Sequence, residues 1–260
     1  MSTNSKYTKT LKRELNYFGT WLPGTPINLG DVGHFKNGIF VKETDLTELG
    51  ITYAIKKDTS KTDYKYNTNG VHIINLDSKV EVPANNKLIK DIAVKMTIHF
   101  NGKNEFLFEA NGALHHSIKN FYNIGVKIKQ LYTQGIWDKR WVVITDVVAA
   151  DSSTILISKA KNATIELTPK LLIGTKQTEL AHAHLTWESS HSKNLAVEIV
   201  AQEALTPLFR ARKIEMRSVP NIENQVSIQR KSVASLSSIE SSKMKNTVSL
   251  VKVTLNDLQV

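Results

Sequence analysis

Residues 92–110 read Ile-Ala-Val-Lys-Met-Thr-Ile-His-Phe-Asn-Gly-Lys-Asn-Glu-Phe-Leu-Phe-Glu-Ala. Ile92, Val94, Met96, Ile98 and Phe100 alternate with Ala93, Lys95, Thr97 and His99, a period of two that a strand sorts onto opposite faces. Asn101-Gly102 tolerates the positive φ of a tight turn. Phe106, Phe108 and Ala110 then alternate with Glu105, Leu107 and Glu109. A two-residue loop would set Phe100 against Lys103 and Ile98 against Glu105, mixing apolar with charged. A three-residue loop, Asn101 to Lys103, sets Ile98 against Phe106, Met96 against Phe108 and Val94 against Ala110. A slip of one residue flips every side chain, so the second register is expected. The stretch predicts a two-faced hairpin, apolar on one side and Lys/Thr/His/Glu on the other.

With 260 residues, the chain is long enough for one large domain or two small ones. Its formal net charge is +10, which favours polyanions, either nucleic acid or an anionic lipid surface. Cysteine is absent, which excludes disulfides, thiolate metal sites, cysteine nucleophiles and thioester lipidation. Residues 1–10 are polar and lack the apolar segment of a signal peptide, and no run approaches a spanning helix. The expected location is the cytoplasm.

Along the chain, Tyr7 to Phe18 carries Leu11, Leu15 and Phe18 at helical spacing among Lys9, Lys12 and Arg13. It reads either as a helix docked on the core or as a basic helix lying on a membrane. Prolines and glycines break up Thr20 to Gly33, and a short strand covers Gly38 to Lys42. Asp45 to Gly50 reads as one helical turn, Ile51 to Lys56 alternates weakly, and the polar stretch Asp58 to Gly70 reads as a loop. Val71 to Val82 alternates again. Leu114, Ile118, Phe121, Gly125, Ile128 and Tyr132 recur every three to four residues, predicting a helix of about five turns before Gly135. Trp141 to Val148 reads as a strand buried on both faces. Asp151-Ser-Ser is expected to turn it, with Thr154 to Ser158 returning. A second two-faced hairpin is expected from Asn162–Lys170 and Thr178–Trp187. Further strands are expected at Leu195–Ala201 and Leu208–Ile214. Ser218 to Asn246 reads as a linker or loosely held segment, serine-rich from Ser232 to Ser242, and leads to a β-prone end from Thr247 to Leu255.

The chemistry-bearing motifs are few. His182-Ala-His184, with His191 near in sequence, could offer imidazoles to zinc, but no cysteine or placed carboxylate completes a set. No phosphate-binding loop, dinucleotide fingerprint, nucleophile elbow or paired acids is present. The reading is of a protein that is not an enzyme, with no metal, cofactor or small-molecule substrate. Lys119 to Lys129, Lys139-Arg140 and Arg210 to Arg217 are basic clusters whose aromatic residues are not interleaved as a nucleic-acid stacking platform would want. They read as solvated faces before they read as a nucleic-acid groove. Arg212, Arg217 and Arg230 border or enter the loosely held segment, where a trypsin-like protease would cut an exposed chain.

In this order the elements resemble the gasdermins, the bacterial ones in particular. The likeness rests on Trp21-Leu-Pro-Gly-Thr-Pro-Ile-Asn-Leu29, the alternating Val94 to Phe108 and the helix after it. It extends through Trp141-Val-Val-Ile-Thr-Asp-Val-Val148 and Ser152-Ser-Thr-Ile-Leu-Ile-Ser158 to Leu205-Thr-Pro-Leu-Phe-Arg-Ala-Arg-Lys-Ile214. Two features depart from the family: no cysteine near the N-terminus, and a longer tail after Ile214. The resemblance and the strand patterns together predict an α+β fold, a twisted, mainly antiparallel β-sheet with long hairpins and a few packing helices. Residues 1–217 would form the pore-forming region and 218–260 a C-terminal tail that holds it inactive.

The resemblance implies a cytoplasmic protein that, once its tail is cut or displaced, oligomerises in anionic membranes. It would act at the inner membrane and cause cell death in antiviral defence. Membrane strands need about 9–11 alternating residues. Val94, Met96, Ile98, Phe100, Phe106, Phe108, Ala183, Leu185 and Trp187 would face lipid. Lys95, Thr97, His99, Glu105, His182 and His184 would line the lumen, and Lys9, Lys12 and Arg13 would touch headgroups. The alternative is a soluble β-rich module that binds nucleic acid or a protein partner, its hairpins ordinary sheet.

Overall fold

A computed structural model describes residues 2–76, 95–170, 186–219 and 245–259. The chain is α+β. Two sheets of antiparallel strands and two helices account for most of it.

Helix α1 (Thr3–Leu15) closes at Asn16 in the left-handed conformation, with Lys12 and Arg13 in its last turn, where positive charge suits the helix dipole. Tyr7 and Leu11, one turn apart, are both fully buried. The helix is therefore docked on the core by the stripe that would otherwise have met lipid. Phe18 lies outside the helix, in the short strand β1 (Phe18–Gly19).

The larger sheet contains β2 (Asp31–Lys36), β3 (Ile39–Asp45), β4 (Ile55–Lys57), β5 (Thr62–Asn67), β8 (Phe106–Ile118), β9 (Val142–Ser158), β12 (Leu195–Val219) and β13 (Lys245–Lys252), besides β1. The smaller one contains β6 (Val71–Leu76), β7 (Lys95–Phe100), β10 (Ala163–Lys170) and β11 (Thr186–Lys193), in the order β11-β10-β7-β6. Helix α2 (Phe121–Thr133) buries Ile124 and Ile128 against Trp137, Ile214 and Leu250.

Several sequence expectations need correction. β7 and β8 are not partners: β7 pairs with β6 and β10, and β8 with β4, β5 and β9. Alternation identifies a strand but not its neighbours, and both strands found partners on two sides. Phe106 and Phe108 therefore pack with Tyr7 and Leu11, whereas Ile98 and Phe100 join Leu107 and Leu156 in a separate cluster. Leu114 to Ile118, expected to open a helix, is strand. The apolar residues there satisfy a helical period by coincidence, and the ladder with β9 decides. The helix begins only at Phe121.

No turn forms at Asp151-Ser-Ser, because β9 runs unbroken for 17 residues between β8 and β12. Likewise β12 is one strand of 25 residues. One of its bulges lies at Ala201, between Ile199 and Gln202, and both Ala201 and Ala204 stand at positive φ. The polar stretch from Asp58 to Gly70 contains β5, with Tyr64 and Tyr66 covering the core over α1. In the second hairpin the first strand is as expected, but its described partner runs Thr186–Lys193 and overlaps the expected one only at Thr186 and Trp187. Thr178 to Leu185, including His182, Ala183, His184 and Leu185, lies outside the described residues, as do Val94 and Arg230.

The β-prone end forms β13, laid on β12 so that Lys245–Lys252 pairs with Arg212–Val219. Beyond it Val253 and Leu258 are buried beside Phe18, Phe35 and Phe209. Lys213 on β12 forms an ion pair with Asp257.

Gly19 fixes how closely α1 approaches. A Cβ there would lie 2.5 Å from the Tyr7 ring and 2.7 Å from Leu11, and neither buried side chain has room to yield. We expect Gly19→Ala to destabilise the fold by about 1–3 kcal/mol. An unchanged urea midpoint would show that the helix is not seated this tightly.

Candidate functional site

The two sheets share one strand order. Read from one side, the larger sheet runs β12-β9-β8-β5 and the smaller β11-β10-β7-β6. Each strand of one is joined through a short corner to the strand at the same place in the other. The corners are residues 67–71, 100–106, 158–163 and 193–195. A four-stranded ribbon has in effect been bent across its middle and laid back on itself.

The bend is stitched across by hydrogen bonds. Thr68 N–H donates to the Phe106 carbonyl (3.0 Å), Asn101 N–H to Gly70 (2.9 Å), Asn104 N–H to Ser158 (3.0 Å) and Lys159 N–H to Asn194 (2.8 Å). Asn104, Asn162 and Asn194 turn three corners at positive φ, which asparagine tolerates better than most residues. The Ser158 hydroxyl donates to the Gly102 carbonyl (2.7 Å) and accepts from Glu105 N–H (2.9 Å).

What keeps the ribbon folded is its apolar face. Val71, Ile98, Phe100, Ala163, Ile165 and Leu167 are buried against Leu107 and Leu156 of the larger sheet, with Met96 at the margin. Cross-strand rows run Val71–Phe100–Ala163 and Ile73–Ile98–Ile165. Ile73, on the edge strand, remains 48% exposed. The opposite face carries the rows His72–His99–Thr164–Lys193 and Ile74–Thr97–Glu166–His191.

The lipid-facing and lumen-facing expectations for β7 therefore fall on opposite faces, Met96, Ile98 and Phe100 on one, Thr97 and His99 on the other. Lys95 lies in β7 opposite Leu76, and Trp187 in β11 opposite Pro169. Phe106 and Phe108 belong to the core over α1 and Glu105 to the bend. Sequence reasoning missed Leu107, placed on the polar face between Glu105 and Glu109. It is 5% exposed and forms half the seat for the folded ribbon. The signal was there: a strand with Phe106 and Phe108 on one face and leucine on the other is covered twice.

Helix α1 closes over the bend. Lys6 forms an ion pair with Glu105 (3.0 Å), and the Thr3 hydroxyl donates to the Asn104 side-chain carbonyl (2.7 Å). Burial pushes the Glu105 carboxyl up, but hydrogen bonds from Thr68 and Lys6 and the Lys6 charge outweigh it, leaving its pKa below the ordinary value.

Of the expected headgroup contacts, Arg13 pairs with Glu14 (2.6 Å) and Lys9 is half-buried. Lys12 lies over the Phe18 ring at 4.6 Å, and burial with the nearby Arg210 and Lys252 charges lowers its pKa to about 8. Arg210 itself covers Tyr17 (3.8 Å) and donates to the Asn16 carbonyl (3.0 Å). Among the cleavage candidates, Arg212 stacks on Phe121 (4.5 Å). Both it and Arg217 lie in the ladder with β13, which would have to open before a protease could bind them extended. Among the described residues no group of three or more His, Asp or Glu side chains could hold a metal.

No family model matches the chain, and no curated protein matches it.

Lys12 supplies a pH test. Its folded pKa is lowered from 10.5 to about 8, so between those values the unfolded chain binds more protons and stability rises with pH. Lys12→Met should raise Tm by a few degrees at pH 7. The gain should shrink as wild type recovers above pH 8; a gain that stays constant to pH 10 would exclude the charge as its cause.

Proposed function

We propose that this chain is a latent membrane pore-former, as its resemblance to the gasdermins implies. The observation that carries the reading is the folded ribbon. Two hairpins, β6–β7 and β10–β11, stand side by side, and each strand continues through a corner into the larger sheet. Straightening the bend would swing an intact two-faced sheet outward without exchanging a strand partner. Residues 71–100 and 163–193 are each long enough for two membrane strands of about 9–11 residues and a turn. An open sheet cannot enter lipid with unpaired edges, so many copies would have to close into a barrel.

On this reading Met96, Ile98, Phe100, Ile165 and Leu167 turn toward lipid, and Thr97, His99 and Thr164 toward the lumen. Lys6–Glu105 and the docked α1 hold the bend shut. The tail acts through β13, whose loss uncovers the β12 edge and one side of α2. A second reading, a soluble module binding nucleic acid or protein, is favoured by the closed packing: Ile98, Phe100 and Ile165 are at most 1% exposed.

Dye release from anionic liposomes separates the two. A specific protease site introduced at Arg230 lets the folded chain be cut in solution. Release by the cut chain, with little from the intact one, is the expected result; a cut chain that loses residues 231–260, stays folded and leaves every liposome sealed would rule out the pore. Glu105→Gln should increase release by intact protein several-fold, because it removes the charge that holds α1 to the bend. In planar bilayers, His99→Asp should move ion selectivity toward cations. A selectivity indifferent to His99 would remove that residue from the lumen.

A further inference from the structure

Three of the seven exposed large hydrophobic side chains among the described residues lie on or next to α2: Tyr122 is 83% exposed, Val126 43% and Ile136 51%. Tyr122, Val126, Lys129 and Thr133 follow the i, i+4, i+7, i+11 spacing of one helical stripe. That stripe points away from Ile124 and Ile128, which are buried against Trp137, Ile214 and Leu250. Lys119, Lys127 and Lys129 are exposed around it and form no ion pair among the described residues. No acidic residue occurs between Glu109 and Asp138. An ordinary solvated helix face mixes both signs of charge and carries few apolar side chains; this one carries lysines, a tyrosine and a valine.

We propose that the outer face of α2 is a docking surface for an anionic membrane. The proposal builds on the membrane reading above, and adds that this surface is open while the ribbon is still folded. Docking thus precedes any opening of the bend. The chemistry is that of an interfacial helix: lysine stems lie along the surface with ammonium groups at headgroup phosphates, while Tyr122 and Val126 enter the headgroup–acyl boundary. Nucleic acid would also take the lysines, but Val126 and Ile136 gain nothing from a phosphate backbone, and one tyrosine is not a stacking platform.

Flotation of the intact chain with liposomes tests it, comparing phosphatidylglycerol mixed with phosphatidylcholine against phosphatidylcholine alone. The chain should float with the anionic vesicles only, less so at high salt. Tyr122→Ser with Val126→Ser should lower partitioning roughly tenfold, and Lys127→Glu with Lys129→Glu by at least as much. Thr133→Lys should raise it about fivefold, a gain that misfolding cannot imitate. Variants that float like wild type would overturn the proposal. So would a wild-type chain that floats with neither vesicle, or that retards single-stranded RNA and ignores lipid. Dye release keeps the two claims apart. Flotation lost in these variants supports the docking surface even if no cut form ever leaks. Leakage by cut protein, with flotation unchanged in every variant, leaves the pore and removes the surface.

Discussion

Leu107 and Leu156 hold the architecture together. They sit opposite each other on β8 and β9, on the face turned away from α1, and the apolar side of the folded ribbon rests on them. Burying that side in water-free contact is the main force opposing the bend's straightening, since hydrogen bonds within the ribbon would survive either way. A lipid environment could replace this contact at little cost, because hydrocarbon is as apolar as leucine. On the proposed membrane reading, the same side chains would serve a closed state in water and an open one in a bilayer.

Around this contact the rest of the chain acts as restraint. α1 is seated by Tyr7 and Leu11 over Gly19 and reaches the bend through Lys6 and Thr3. At the far edge, β13 and the buried Val253 and Leu258 fasten the C-terminal segment to β12 and to the aromatic cluster of Phe18, Phe35 and Phe209. α1 thus also grips the corner ahead of β8, whereas β13 pairs with β12, in the body of the protein. The smaller sheet is itself held by its apolar seat and its four corners.

Much of this was readable in the residues. The two faces of β7, the buried run of Trp141 to Val148, the first strand of the second hairpin and a strand near the C-terminus all follow from alternation and β-branched content. Neighbour relations did not. Asn101-Gly102 carries the chemistry of a hairpin turn, yet with Asn104 it makes a corner between sheets, and nothing local distinguishes the two. The length of β9 was hidden by Asp151-Ser-Ser, whose polar residues sit on a strand between two partners. Leu114 and Ile118 match a helical period as well as a strand can, and only the ladder with β9 resolves them. The open side of α2 stood in the sequence as Tyr122 and Val126 among lysines, but its exposure could not be known before its other side was placed.

The ends of the smaller sheet are unlike. β6 forms one edge and β11 the other, and among the described residues neither has a further partner. Strand direction alternates across the sheet, so β6 of one molecule could continue the antiparallel ladder along β11 of a second. Such a contact joins two different surfaces and uses up only one on each molecule, so it cannot stop at a symmetric pair. Head-to-tail joining of this kind grows until it closes as a ring or runs on as a filament, and the angle between successive copies decides which.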